Sequence, residues 1–184
     1  MYHISNDKRA VRSAELVWEG LEQCLREKEL KKIRIADINE KCYVSRATFY
    51  RLFDSVEDVL AYRCDRILEA VAEKLDGNSF SKPGDLFLYF VSMWLEQKTL
   101  TKALAENSLT NLLYEAHMRK RDLVKRIFAN GEQLADLDYL VSILSSLIPA
   151  VISTWYEHGQ NESAETVYAH VAKCTGLIAT ALNS

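Results

Sequence analysis

Between residues 56 and 75, apolar side chains recur at Val56, Val59, Leu60, Cys64, Ile67, Leu68, Val71 and Leu75. That spacing of three and four marks one face of a helix and does not suit a strand. It predicts a helix of about 20 residues, about 30 Å long at 1.5 Å per residue, long enough to link two modules. Asp54 or Ser55 can cap it, and Glu57 and Asp58 fall in the first turn, where the macrodipole favours acids. Punctuation is sparse elsewhere too. Only 2 Pro and 6 Gly occur in 184 residues, so few segments are forced into turns.

The helical reading extends over the whole chain. Val11, Ala14, Trp18, Leu21 and Leu25 stripe a first helix over residues 7–29, with Asn6 or Asp7 as its cap. Ile35 and Ile38 face inward from a short second helix, and residues 46–52 form a third. Polar residues 76–84 read as a linker. Beyond it, helical patterns cover 84–98, 100–129 with a break, 133–159 and 162–183. Alternating strand patterns, repeats and low-complexity tracts are absent, so the expected class is all-α.

Residues 35–41, a tight connection at 42–44 and the helix from 46 give the sequence picture of a helix-turn-helix. Val44, Phe49 and Phe53 are its expected core anchors. The positions between them carry donors. Arg46 can fork onto guanine or phosphate. Ser45, Thr48 and Tyr50 offer hydroxyls that position a duplex without reading it. Arg34, Lys41 and Arg51 add affinity through counterion release. Net charge is −3, which argues against nonspecific coating of nucleic acid, yet the charge is uneven. Residues 26–51 hold eight basic against four acidic side chains, while residues 61–184 hold twelve against fifteen. A basic front on an acidic body suits a DNA reader with a separate effector region.

The second half is aromatic. Phe87, Phe90, Trp94, Tyr114, Phe128, Tyr139 and Trp155, with His117, are the candidate lining of an effector cavity, though an ordinary core explains most of them. The expected effector, where there is one, is small and apolar or aromatic. Residues 139–156 carry no charge over 18 positions, the length threshold of a membrane span. A helix buried between protomers reads the same way. Leu144, Leu147, Val151, Ala172 and Leu177 are the candidate dimer contacts, and Pro149 is expected to kink or open its helix. Cys24, Cys42, Cys64 and Cys174 are widely spaced and read as buried or partly buried thiols in a reducing cytoplasm. With the four histidines they make no metal spacing, and no nucleophile–base set or phosphate loop points to an enzyme. No metal and no cofactor are expected, and the polar first twelve residues lack the apolar run of a signal peptide.

The string Ile35-Ala-Asp-Ile-Asn-Glu-Lys-Cys-Tyr-Val-Ser-Arg-Ala-Thr-Phe-Tyr-Arg-Leu-Phe-Asp-Ser-Val-Glu-Asp-Val-Leu60 resembles the tetracycline-repressor (TetR) family of transcriptional regulators. The likeness covers about residues 7–70, and its core is Val-Ser-x-x-Thr-Phe-Tyr-x-x-Phe. It implies a three-helix DNA-binding head over residues 1–54, a connecting helix over 55–76, and a helical effector-binding and dimerisation domain over 77–184. It further implies a homodimer on a palindromic operator, with Thr48 and Tyr50 at positions that commonly touch phosphate. Three residues depart from the pattern. Tyr43 replaces the usual turn glycine, Val56 a usual lysine, and Arg34 a usual helix-capping Ser or Thr. These departures keep a second reading open: a helical coactivator or interaction protein that has lost DNA binding.

Overall fold

The computed structural model describes residues 1–5, 7–76, 83–129 and 136–184. The expected linker at 77–82, the candidate cap Asn6, Gly131 and the side chains of Leu75 and Phe128 lie outside that set. The described residues form helices and no strand, so the fold is all-α.

The head consists of α1 (Lys8–Glu27), a 3-10 turn (Leu30–Lys32), α2 (Ile35–Cys42) and α3 (Arg46–Leu52). Asp7 caps α1 by accepting the Arg9 N–H at 2.9 Å. Arg34 carries no capping acceptor, and Asp37 supplies half of a capping box, accepting the Arg34 N–H at 2.7 Å. That bond, with Lys28 at 2.9 Å, holds the Asp37 carboxyl below its ordinary range. α1 and α2 pack closely at Gly20, where an added Cβ would lie 2.8 Å from Cys42 Cβ and 2.9 Å from the Ile38 carbonyl oxygen.

The connecting helix, α4 (Val56–Asp76), starts as its sequence predicts. Ser55 Oγ accepts the Asp58 N–H at 3.2 Å, and Asp58 reciprocates on the Ser55 N–H at 3.2 Å. The stripe of Val59, Leu60, Cys64, Ile67, Leu68 and Val71 is buried. Among the described residues six further helices follow: α5 (Pro83–Leu95), α6 (Lys98–Glu106), α7 (Asn111–Arg119), α8 (Arg121–Ala129), α9 (Leu137–Glu157) and α10 (Ala164–Leu182). The break expected within residues 100–129 is thus two breaks. α9 runs through Pro149 as one helix. Most of the buried apolar side chains make one cluster from Ala14 in α1 to Val167 in α10.

Polar joints fasten α4 on both sides. Toward the head, Glu15 of α1 accepts from Tyr62 Oη at 2.6 Å and from Arg66 Nε at 3.1 Å. Toward the body, Arg119 of α7 grips Asp65, and Lys120 pairs with Glu69. The chain's first residues run back over this joint: the His3 N–H donates to the Leu52 carbonyl at 2.8 Å, and the Tyr2 hydroxyl donates to Asp65. Burial and that carboxylate push the Tyr2 hydroxyl's pKa well up.

α9 is long and apolar enough to cross a membrane by length and composition, the one such helix among the described residues. It packs on α6, α7 and α8, with Val141, Ser145, Ile148, Ile152 and Trp155 turned inward. Its other face, with Tyr139 and Ile143, is exposed. α10 docks by its first half alone. Tyr168 meets the Phe87 ring at 6.0 Å, and an added Cβ on Gly84 would lie 2.6 Å from its hydroxyl oxygen. From Ala172 onward α10 is exposed throughout. Cys24, Cys42 and Cys64 are buried and their thiol pKa values rise with burial. Cys174 corrects the expectation of buried or partly buried thiols: it stands exposed on the undocked half of α10.

Candidate nucleic-acid interface

The end of α2 decides how α3 is presented. Tyr43 takes a left-handed backbone, φ 55° and ψ 22°, with its N–H on the Asn39 carbonyl at 2.9 Å. Val44 then drops into the core, and Ser45 caps α3, its Oγ accepting the Thr48 N–H at 3.1 Å and donating to Thr48 Oγ1 at 3.0 Å. Phe49, Leu52 and Phe53 are buried and fix the rotation of the helix. Helical geometry then turns Arg46, Tyr50 and Arg51 outward, and all three are exposed. The Arg46 guanidinium lies over the Tyr50 ring, 5.6 Å from its centroid, a contact that orders the arginine without consuming its donors.

The seven candidate contacts do not all converge. Ser45, Arg46, Thr48, Tyr50 and Arg51 share α3 and its cap, with Thr48 half-buried. Arg34 is exposed at the head of α2. Among the described residues no carboxylate pairs with Arg34, Arg46 or Arg51. Lys41 differs: its ammonium donates to Glu27 of α1 at 2.6 Å, which raises its pKa and neutralises it locally. Its charge was legible in the sequence; the partner fourteen residues away was not. Beside Ser45, Tyr43 is 95% exposed. The sequence marks Tyr43 as a misfit for a turn but not as a surface feature of the head.

The candidate effector residues scatter. Phe90, Trp94 and His117 meet in the interior, with the imidazole 5.5 Å from the Phe90 ring and 5.7 Å from the Trp94 ring. Burial lowers the His117 pKa to about 4, so the ring is neutral. Neither of its nitrogens nor Trp94 Nε1 has a hydrogen-bond partner among the described residues, a costly state for buried polar atoms. Phe87 is half-buried against Tyr168. Trp155 is buried where α9 ends, its Nε1 donating to the Glu162 carbonyl at 3.1 Å with Lys98 over its ring. Tyr114 is exposed on α7, and Tyr139 lies with Ile143 on the outer face of α9.

Of the candidate dimer contacts, Leu147 and Val151 line a groove of about 270 Å³ between α9 and α10, floored by Trp155 and Val167. Leu144 is half-buried on α9, Ala172 is exposed, and Leu177 is 63% exposed beside Ile178.

No protein-family model matches this chain, and no curated protein matches it. Solved structures do. The protein Lin0861 from Listeria innocua superposes with a TM-score of 0.71 over 96% of each chain, at 16% identity. A transcriptional regulator of the TerR/AcrR family from Aquifex aeolicus superposes with a TM-score of 0.56, at 15% identity, over 90% of this chain and 99% of that one. Likeness at this identity establishes the fold alone: the chain shares the all-α fold of these two proteins.

Proposed function

We propose that this protein is a ligand-responsive transcriptional repressor that binds a palindromic operator as a homodimer. The observation that carries the reading is α3. Phe49 and Leu52 are buried, and its cap and outer face present Ser45, Arg46, Tyr50 and Arg51, which pair with no carboxylate among the described residues. On this reading the head is residues 1–54, residues 55–76, with α4, are the connector, and residues 77–184 bind effector and partner. One head makes few contacts, so a twofold pair must place two copies of α3 in successive major grooves, about 34 Å apart. The exposed apolar faces of α9 and α10 supply the pairing surface, which accounts for α9's hydrophobicity without a membrane and suits a cytoplasmic protein.

An effector would act through α4. Its joints to Glu15 on one side and to Arg119 and Lys120 on the other let a shift in the body tilt the head. A coupling of about 1–3 kcal/mol gives a 5–150-fold change in affinity. Trp94 and His117, whose indole and imidazole nitrogens have no partner among the described residues, suit with the neighbouring Phe90 ring a small aromatic ligand that offers an acceptor to the indole N–H.

Sequencing duplexes selected from random DNA by the purified protein tests the reading. Enrichment of a palindrome with half-sites about one helical turn apart supports it. A second reading, an interaction protein without DNA affinity, draws on Lys41 being tied to Glu27 and on the absence of a lysine at Val56. Selection that enriches nothing favours that second reading.

A further inference from the structure

Tyr43 is unusual in two respects at once. Among the described residues three non-glycines have positive φ: Tyr43, Ser108 and Gln160. Gln160 is held there by its side chain, which donates to Thr101 Oγ1 at 3.0 Å. Ser108 is small and polar. Tyr43 has neither excuse: its ring is 95% exposed and its hydroxyl meets no partner among the described residues. A left-handed backbone disfavours a residue with a Cβ, and glycine would take it without strain. The neighbours impose the conformation. Cys42 is buried against α1 at the Gly20 contact, and Val44 is buried one residue later, so the chain must reverse between them. The fold therefore requires the geometry and gains nothing visible from the ring.

The ring's position supplies the missing gain. Tyr43 lies two residues before the Ser45 cap of α3, at the end of α3 that helix-turn-helix proteins point into the groove. We propose that Tyr43 is a DNA-backbone contact of this head: its ring lies against a deoxyribose and its hydroxyl donates to a phosphate at the edge of the half-site. The inference rests on the DNA-binding reading and adds a residue to it. Duplex DNA is favoured over a protein partner because the same surface carries Arg46 and Arg51, which have no carboxylate partner among the described residues, and the hydroxyls of Ser45 and Tyr50. A tyrosine phosphate contact fixes register without displacing a counterion, so it adds affinity but no salt dependence.

Two variants separate ring from strain. Tyr43→Gly removes both, and Tyr43→Ala removes the ring while keeping a Cβ in the left-handed backbone. Both should weaken binding to the selected duplex by about tenfold, the equivalent of about 1.4 kcal/mol, with the slope of log affinity against log salt unchanged. Only Tyr43→Gly should raise the melting temperature, by about 2–4 °C. Arg46→Ala serves as the control for the head. If Arg46→Ala weakens binding while both Tyr43 variants stay within about twofold of the parent, the Tyr43 contact is refuted and the DNA reading stands. If the parent binds no duplex, both fail together. A Tyr43→Gly protein that melts no higher than Tyr43→Ala overturns the claim that function maintains the strain. Loss of a captured protein partner with no change in DNA affinity would reassign the ring to protein recognition and also refute the contact.

Discussion

The Arg119 guanidinium closes a two-point grip on the Asp65 carboxylate, with Nε to Oδ2 and Nη2 to Oδ1 both at 3.1 Å. Asp65 is 2% exposed, and the Tyr2 hydroxyl donates to the same Oδ2. One buried charge thus joins α4, α7 and the first residues of the chain. Breaking a buried pair by removing one member costs about 3–5 kcal/mol, because the other charge is left uncompensated. Arg119 is partly exposed and has Glu115 at 3.6 Å as a second partner. The cost should therefore be asymmetric. Arg119→Met strands the buried carboxylate and should cost about 3 kcal/mol in urea unfolding, whereas Asp65→Asn should cost less. Equal costs would contradict the view that burial falls on the Asp65 side.

Gly20 sets the approach of α1 to α2, and the obstructing atoms are Cys42 Cβ and the Ile38 carbonyl oxygen rather than a flexible side-chain tip. Gly20→Ala should cost about 1–3 kcal/mol despite alanine's better helix propensity, lowering the melting temperature by about 2–4 °C for each kcal/mol. A melting temperature that rises would show that the helices separate easily.

His117 should make the body acid-sensitive. Its pKa falls from 6.5 to about 4 on burial, so the unfolded chain takes up a proton that the folded chain refuses. Stability is therefore complete above pH 6.5 and declines as pH falls toward 4. Between pH 7 and pH 5 this one group should remove about 2 kcal/mol of unfolding free energy. Comparing urea unfolding at both pH values for the parent and for His117→Leu isolates the effect. A parent that loses no more than the variant would contradict it.

Leu177 and Ile178 are about 60% exposed on the undocked half of α10. Ile178→Glu should leave helicity unchanged by circular dichroism and halve the mass seen by sedimentation. A variant that sediments as the parent does would remove this face from the assembly.

The head was legible because local signals sufficed. Asp7 caps α1 as its type predicts, and Val44, Phe49 and Phe53 bury at the expected spacing. The α4 start was legible from Ser55 and Asp58 for the same reason. What escaped depends on contacts across elements. Lys41 reads as a free cation until α1 brings Glu27 beside it, and nothing in periodicity links Tyr2 to Asp65. The exposure of Tyr139, Tyr114 and Cys174 is not legible either, because an apolar or aromatic residue on a helix reads the same in sequence whichever way its face is turned.

The central claim is that α3 grips a duplex, and the salt dependence of binding to the selected operator tests it most directly. Arg34, Arg46 and Arg51 of each head are exposed, and none of them forms an ion pair among the described residues, which gives six cations in a dimer. The slope of log affinity against log salt should therefore be about −5, a loss of about 10³ in affinity between 50 and 200 mM. A slope near zero, or affinity unchanged across that range, would contradict the account.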